Sequence, residues 1–161
     1  MKIHIAANCL GLALLLTGCA SAPPLVLDRV GPSKEPVSAR SNEGNLVVYS
    51  ASSPLMNMTD PDTPLHSDYT ILSSDGAVYR NVRNWQSKVL REPASISLPS
   101  GRYTVEADSA EHGKVQVPVL IVAHRTTTIH LDGEPMHDFR GVAKSDLVSL
   151  PNGYVVGWRS E

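Results

Sequence analysis

The sequence lacks an excess of charge of either sign. Its 14 Lys and Arg residues nearly balance 16 Asp and Glu residues, which gives a formal net charge of −2. A basic excess that would indicate nucleic-acid binding is therefore missing, and no acidic tail is present. Apolar residues still make up 42% of the chain, which is enough for a packed core. The composition predicts one folded domain with accessory segments.

The chain also lacks an apolar run long enough to cross a membrane as a helix. Its longest run, Ile3 to Leu16, has about 14 residues, whereas a helical span needs roughly 20. The run follows Lys2, and a positive charge before a short apolar region is typical of a secretory signal peptide. We therefore interpret the first 18 residues as an export signal.

The end of this signal carries a more specific pattern. Leu16-Thr17-Gly18-Cys19 resembles the lipobox of bacterial lipoproteins, which is a leucine, two small or neutral residues and an obligatory cysteine. The resemblance implies cleavage between Gly18 and Cys19 and a lipid on the Cys19 thiol. Several acyl chains together hold a protein on a membrane almost permanently. The alternative is an ordinary signal peptide followed by a free or buried cysteine.

Lipidation would leave the exported chain without a free thiol. The other cysteine, Cys9, lies inside the signal and would be removed with it. Disulfides, thiolate catalysis and cysteine-based metal sites are then excluded. In bacteria with two membranes, lipoproteins resembling this one are retained at the inner membrane mainly by Asp after the cysteine. Ala20 at that position therefore predicts the outer membrane.

Catalytic and phosphate-binding motifs are absent as well. The sequence contains no HExxH, GxSxG or SxxK motif and no glycine-rich phosphate loop. We therefore predict no enzymatic activity, no metal and no cofactor beyond the covalent lipid. The densest polar cluster, Asp60 to Asp68 around His66, leaves three alternatives open. These are a hydrolase or enzyme-accessory site, a Ca²⁺ site and a solvated loop with Asx turns.

Turn residues separate many short apolar stretches. The chain has 11 Gly and 12 Pro, which favours short strands joined by turns over helices. Asp75-Gly76 and Pro151-Asn152-Gly153 each predict a hairpin. Pro118 lacks an N–H donor, which suggests that its strand is an edge strand or contains a bulge. Alternation along this strand predicts a buried face formed by Val115, Val117, Val119 and Ile121.

A proline-rich segment follows the cysteine. We interpret residues 19–44 as a lipidated cysteine and a disordered tether, because prolines and polar residues favour an extended chain. About 25 extended residues could reach roughly 75 Å. Leu25 to Leu27 interrupts this polar character, and it is either a short added strand or a surface contact.

The strands that follow are similar to those of a known family. Ile96 to Val105, with its LPSGRYTV turn and strand, is followed by Val115 to Val122 and by Arg125 to Leu131. Together they resemble the end of a carboxypeptidase regulatory-like domain. The resemblance implies an all-β fold, an immunoglobulin- or transthyretin-like antiparallel β-sandwich of about 7–9 strands in residues 45–133. Beyond this resemblance, we predict that residues 134–161 form a C-terminal extension with a terminal hairpin. Such domains are usually structural or adhesive modules without catalytic activity.

One basic stretch carries an aromatic residue at its centre. It is a candidate binding site formed by Arg80, Arg83, Trp85, Lys88 and Arg91. Cations beside a tryptophan suit an anionic envelope polymer, a lipid headgroup or an acidic protein patch. The favoured alternative is a solvated hairpin and loop, with Trp85 folded over the edge of the sandwich. We predict a lipid-anchored, non-catalytic envelope module whose partner is an envelope protein or polysaccharide. The alternatives are an anionic-polymer binder that uses Arg80 to Arg91, and a hydrolase or enzyme accessory that uses the Asp60 to Asp68 loop.

Overall fold

The computed structural model describes residues 23–32, 42–53, 65–84, 92–133, 139 and 141–160. Almost all regular structure in these residues is β-strand, and one 3₁₀ turn spans Lys144–Asp146. No helix in the described part of the chain has the length and hydropathy to span a bilayer. The signal and cleavage residues, Gly18 and Cys19, lie outside the described residues.

Within the described residues, thirteen strands form one sandwich-like fold. In chain order they are β1 (Leu25–Val26), β2 (Val30–Gly31), β3 (Glu43–Tyr49), β4 (Ser52–Ser53), β5 (Leu65–His66), β6 (Tyr69–Ser73), β7 (Val78–Val82), β8 (Ser95–Pro99), β9 (Gly101–Ser109), β10 (Gly113–Ile121), β11 (Thr126–His130), β12 (Leu147–Ser149) and β13 (Val155–Arg159).

The strands divide into a larger and a smaller sheet. The larger sheet has the order β12-β13-β2-β10-β9-β6-β7, and β1 also pairs with β10. The smaller sheet has the order β11-β3-β8, and β4 and β5 form a separate two-stranded pair. The predicted all-β sandwich class is confirmed. The sheets are mixed rather than purely antiparallel, because β1 and β2 run parallel to β10, and β11 runs parallel to β3.

The core lies between the inward faces of the two sheets. The side chains of Val115, Val117, Val119 and Ile121 on β10 are at most 1% exposed, which confirms the face predicted from their alternation. Leu46 and Val48 on β3 are completely buried in the same cluster. Burying each such side chain stabilises the fold by about 1.5–3 kcal/mol. Packing must carry this stability, since the described part of the chain contains no cysteine.

The larger sheet includes residues that the sequence places in the tether. Leu25 and Val26 of β1 align with Val115 and Gln116 of β10, and Val30 of β2 aligns with Val119. The Val30 side chain is completely buried. Of the two alternatives for this segment, the added strand is therefore correct. Leu25 and Leu27 pack against the core, whereas Val26 between them points to the opposite face and is 63% exposed.

The prediction that Pro118 marks an edge strand or a bulge is wrong. β10 has partners on both sides, and its register with β9 is unbroken across Pro118. The N–H of Leu27 donates to the Gln116 carbonyl (2.9 Å), so the backbone of Gln116 faces the N-terminal segment. Peptide groups alternate sides along a strand, and Pro118 therefore faces the same way. Its missing donor falls opposite the interruption between β1 and β2, so no hydrogen bond to β9 is lost.

Both predicted hairpins are present. The β6–β7 hairpin turns at Gly76 (φ 83°), and the β12–β13 hairpin turns at Gly153 (φ 91°). These left-handed conformations favour glycine. The terminal hairpin joins the larger sheet, because Trp158 of β13 aligns with Gly31 of β2. An ion pair between Arg159 and Asp28 (2.6 Å) connects the two strands further.

Gly44 marks a close approach between the start of β3 and the turn after β10. A Cβ atom built on Gly44 would lie only 2.9 Å from the Arg125 carbonyl oxygen and closer still to the Val122 carbonyl oxygen. Both neighbours are backbone atoms, so they cannot move aside as a side chain could. The turn is also fixed to β3 by the hydrogen bonds from His124 N to Glu43 O (3.0 Å) and from Asn45 N to Arg125 O (2.9 Å).

We expect Gly44→Ala to lower the free energy of unfolding by about 2–3 kcal/mol, because overpacking forces the backbone apart. Urea unfolding followed by circular dichroism measures the change. The matched control is Gly101→Ala, where a Cβ would meet Tyr103 at an ordinary 3.5 Å. Equal stability losses in the two variants would show that close approach at Gly44 is unimportant.

Candidate functional site

Aromatic and polar side chains gather where β3 and β11 end. We call Tyr49, Ser50, His66, Asn84 and His130 the end cluster. Parallel pairing of β11 with β3 places His130 directly beside Tyr49. The β4–β5 pair aligns His66 with Ser52 and so brings its ring to the same end of β3.

Three rings of the end cluster pack together. Tyr49 stacks on His130 with ring centroids 4.5 Å apart and an angle of 16° between the rings. His66 meets Tyr49 edge-on at 5.5 Å. Burial raises the pKa of Tyr49 above its usual value, and the negative charges of Glu92 and Asp132 raise it further. Both effects disfavour loss of the phenol proton of Tyr49.

Ser50 and His66 do not form a nucleophile and its base. The Nδ1 atom of His66 is 2.8 Å from the backbone oxygen of Ser50 rather than from its hydroxyl. The Ser50 hydroxyl donates to the Ser67 carbonyl (2.6 Å) and accepts from Asn84 (3.0 Å). Nucleophilic catalysis needs the hydroxyl within hydrogen-bond reach of the base. Here the hydroxyl instead fixes the segment that follows β5.

Asn84 is the centre of this polar network. Its side chain is completely buried. The side-chain nitrogen donates to the Val48 carbonyl (2.8 Å) as well as to Ser50, and Oδ1 accepts from the backbone N–H of Ala94 (3.0 Å). Its own backbone N–H donates to an Asp68 carboxylate oxygen (3.0 Å). The side chain of Asn84 therefore joins the end of β3 to the segment before β8, and its backbone N–H adds the segment before β6.

We expect Asn84→Ala to destabilise the fold by about 3–4 kcal/mol. It leaves the Val48 carbonyl and the Ala94 N–H buried without this partner, and each such loss costs about 1–3 kcal/mol. Urea unfolding of the purified protein measures the effect. Asn81→Ala is the matched control, because Asn81 is exposed and its Oδ1 atom accepts a hydrogen bond from the exposed Thr70 hydroxyl (3.0 Å). A loss below about 1 kcal/mol for Asn84→Ala would contradict the assigned role.

The predicted acidic cluster is only partly described. Asp60 and Asp62 lie outside the described residues. His66 belongs to the end cluster, and the Asp68 carboxylate accepts the hydrogen bond from Asn84. No group of three His, Cys, Asp or Glu residues in the described ranges could hold a metal ion. The two described members of this cluster therefore have structural hydrogen bonds.

A polar pocket of about 400 Å³ lies on the outer face of the larger sheet. Its lining includes Thr70 and Glu106, which are aligned on neighbouring strands. Glu106 accepts a hydrogen bond from Gln116 (3.0 Å), and at the rim Lys114 forms an ion pair with Asp108 (3.4 Å). The pocket thus combines charges of both signs, several of which already have partners.

A second surface lies at the edge strand β7. Ile71 aligns with Arg80 and Leu72 aligns with Val78, so Tyr79 is an extra residue in a β-bulge. The Tyr79 ring packs edge-on against Tyr103 (centroids 5.3 Å apart), and the Tyr103 hydroxyl donates to the Pro99 carbonyl (3.2 Å). We call Val78, Tyr79, Arg80 and Tyr103 the β7 patch.

The β7 patch exposes two large apolar side chains beside each other. Val78 is 62% exposed and Tyr79 is 48% exposed, and they are two of the four large apolar side chains exposed in the described residues. Arg80, the next residue along β7, is also exposed. Tyrosine and arginine are the side chains that most often contribute binding energy at protein interfaces.

The predicted basic stretch reaches this patch with its first residue. Arg80 belongs to the patch, and Arg83 is exposed just beyond the end of β7. Trp85, Lys88 and Arg91 lie outside the described residues. Sequence reasoning missed Tyr79 and its contact with Tyr103, because regular alternation along β7 gives no signal of a bulge. It also missed Asn84, which looks like one more polar residue in a polar stretch.

Comparisons with protein-family models, with curated proteins and with solved structures gave no match to this chain.

Proposed function

We propose that the protein is an envelope lipoprotein anchored through Cys19, and that its sandwich is a non-catalytic module. The module contacts another envelope protein through the β7 patch. The anchor is inferred from the lipobox-like residues Leu16 to Cys19. In such a protein the lipid determines the location, and confinement to a membrane surface raises the effective concentration of the module for its partner.

The exposed Tyr79 ring is the observation that carries the proposed contact. The edge-on packing against Tyr103 restricts the ring, so less rotamer entropy is lost when a partner binds. Arg80 beside it adds a positive charge to an apolar surface. The corresponding partner surface carries an apolar pocket beside an Asp or Glu side chain.

Contact by side chains is favoured over addition of a strand to β7. The bulge at Tyr79 interrupts the regular row of backbone groups that an added strand requires. Bulges and charged residues on an edge strand are common means of preventing edge-to-edge pairing. A partner that binds the β7 patch would therefore recognise the Tyr79 and Arg80 side chains.

The end cluster supports a module without catalysis. The Ser50 hydroxyl and the Asn84 amide are occupied by hydrogen bonds to backbone groups and to each other. Such a buried, satisfied network fixes one arrangement of the core. Its polar groups are explained by stability alone, so we assign them no chemical step.

Placing a photo-crosslinking phenylalanine analogue at position 79 in living cells should capture the partner protein. We expect a discrete crosslinked band, identified by mass spectrometry, that weakens when Arg80→Glu is added. The matched control position is Tyr154, another exposed tyrosine (37% exposed). Equal crosslinking at both positions would refute the patch. If the protein instead binds envelope polysaccharide, and high salt abolishes that binding, the anionic-polymer alternative is favoured.

Changing Cys19→Ala should move the protein from the membrane fraction to the soluble exported fraction. The physical reason is that the variant loses the only thiol on which the proposed lipid can form, together with about 0.8 kcal/mol of membrane affinity for each buried CH₂. Fractionation with immunoblotting measures the distribution. Retention of the variant in the membrane fraction would show that the anchor assignment is wrong.

A further inference from the structure

The first strand of the sandwich begins very soon after the proposed anchor. β1 starts at Leu25, only six residues beyond Cys19. A fully extended chain covers at most about 3.6 Å per residue, so these six residues span no more than about 22 Å. This limit is far shorter than the roughly 75 Å that a tether over residues 19–44 would allow. The shorter limit applies because β1 and β2 pair with β10 and therefore belong to the folded domain rather than to the tether.

The short connection enters at one end of the larger sheet. Leu25 aligns with Val115, near the start of β10, and the turn at 110–112 joins β9 to β10 beside it. We call this turn, together with Gly113 and Lys114, the β9–β10 end. β10 has nine residues, which corresponds to about 26 Å between its first and last residues. The opposite end of the sheet therefore lies about one strand length away.

We propose that the β9–β10 end of the sandwich lies against the headgroup surface of the membrane that carries the lipid. The inference rests on the proposed lipidation of Cys19. Because Leu25 must remain within about 22 Å of the anchor, the β9–β10 end has no room to rise far above the bilayer. The partner of this end is the lipid surface itself.

This orientation places the β7 patch away from the bilayer. Positions along β9 give the relative heights. Through Leu72 of β6, Val78 of the patch is level with Thr104 of β9. Through Val115 of β10, Leu25 is level with Ala107 of β9. Three residues along β9 correspond to about 10 Å. The patch is thus raised toward the envelope space and stays open to a protein partner on the same membrane.

Charge on the outer face opposes the alternative in which the larger sheet lies flat. Glu106 and Asp108 project from β9 on this face, and Asp68 lines the pocket beside them. Lys114 lies on the same face and pairs with Asp108. Pressing these carboxylates onto anionic headgroups would be repulsive and would remove them from water. Attachment at one end leaves Asp68 and Glu106 in water. It brings the exposed Glu111, which accepts a hydrogen bond from Asn152 (2.5 Å), to the surface together with the cation of Lys114.

Fluorescence transfer from the protein to a lipid-bound acceptor tests the orientation. The full lipoprotein is purified from membranes and reconstituted in phosphatidylethanolamine–phosphatidylglycerol vesicles that contain the acceptor. One variant carries a donor dye on Ala110→Cys, at the β9–β10 end, and the matched variant carries it on Ser74→Cys, in the exposed β6–β7 turn. The acylated Cys19 does not react with the dye.

Ser73, next to the Ser74 probe, aligns with Tyr103 of β9. Ala110 lies seven residues beyond Tyr103, which corresponds to about 23 Å along the strand direction. We therefore expect transfer from the Ala110 probe to exceed transfer from the Ser74 probe by at least about twofold. A Gly/Ser insertion of about ten residues between Ala22 and Pro23 adds about 18 Å of mean reach. It should lower transfer from the Ala110 probe while the protein stays membrane-bound.

The outcomes separate this inference from the proposed function. Equal transfer from both probes, or greater transfer from the Ser74 probe, overturns the orientation even when mass spectrometry finds the lipid on Cys19. Transfer that does not respond to the inserted linker also overturns it. Absence of acylation at Cys19 overturns the proposed anchor, and the orientation with it.

Discussion

Backbone pairing on both sides of β10 determines where the rest of the sandwich can lie. β9 pairs antiparallel along all nine residues of β10, while β1 and β2 pair in parallel with its other side. The inward side chains of β10 then form the floor of the core beneath β3 and β11. Pro118 interrupts this arrangement only where the N-terminal segment is already irregular, so a residue that usually avoids central strands is accommodated.

The end cluster shows how a polar group can serve a fold without a chemical role. Asn84 is completely buried, and burying an amide is unfavourable unless its hydrogen-bonding groups are satisfied. Here they are satisfied by backbone groups from segments distant in the chain. The network joins those segments to β3, and Tyr49 and the two histidine rings pack at the same end of the strand. The aromatic and apolar surface at β7 has no comparable structural explanation, which is why the proposed contact is placed there.

Several strands were predictable to within about two residues, since their pattern depends on neighbouring side chains and turn residues. The stretch Val115 to Val122, for example, corresponds to β10 at Gly113–Ile121, and the two hairpins form at their predicted turns. The parallel pairings were not predictable. Which strand lies beside β10 depends on burial of Val30 and on the closure of long loops, and neither is encoded in the alternation of one strand. Likewise, the bulge that exposes Tyr79 arises from register against β6.

The sequence alone determined the alternation that buries one face of β10, the positions of the turns and the number of residues between Cys19 and Leu25. These properties are local or covalent, and they need no knowledge of distant partners. Only the tertiary structure decided that Leu25 and Val30 belong to the sheet and that Asn84 lies beneath the end of β3. It also placed Tyr79 against Tyr103. These contacts join residues far apart in the chain, and their formation depends on burial and hydrogen bonding that many segments must achieve together.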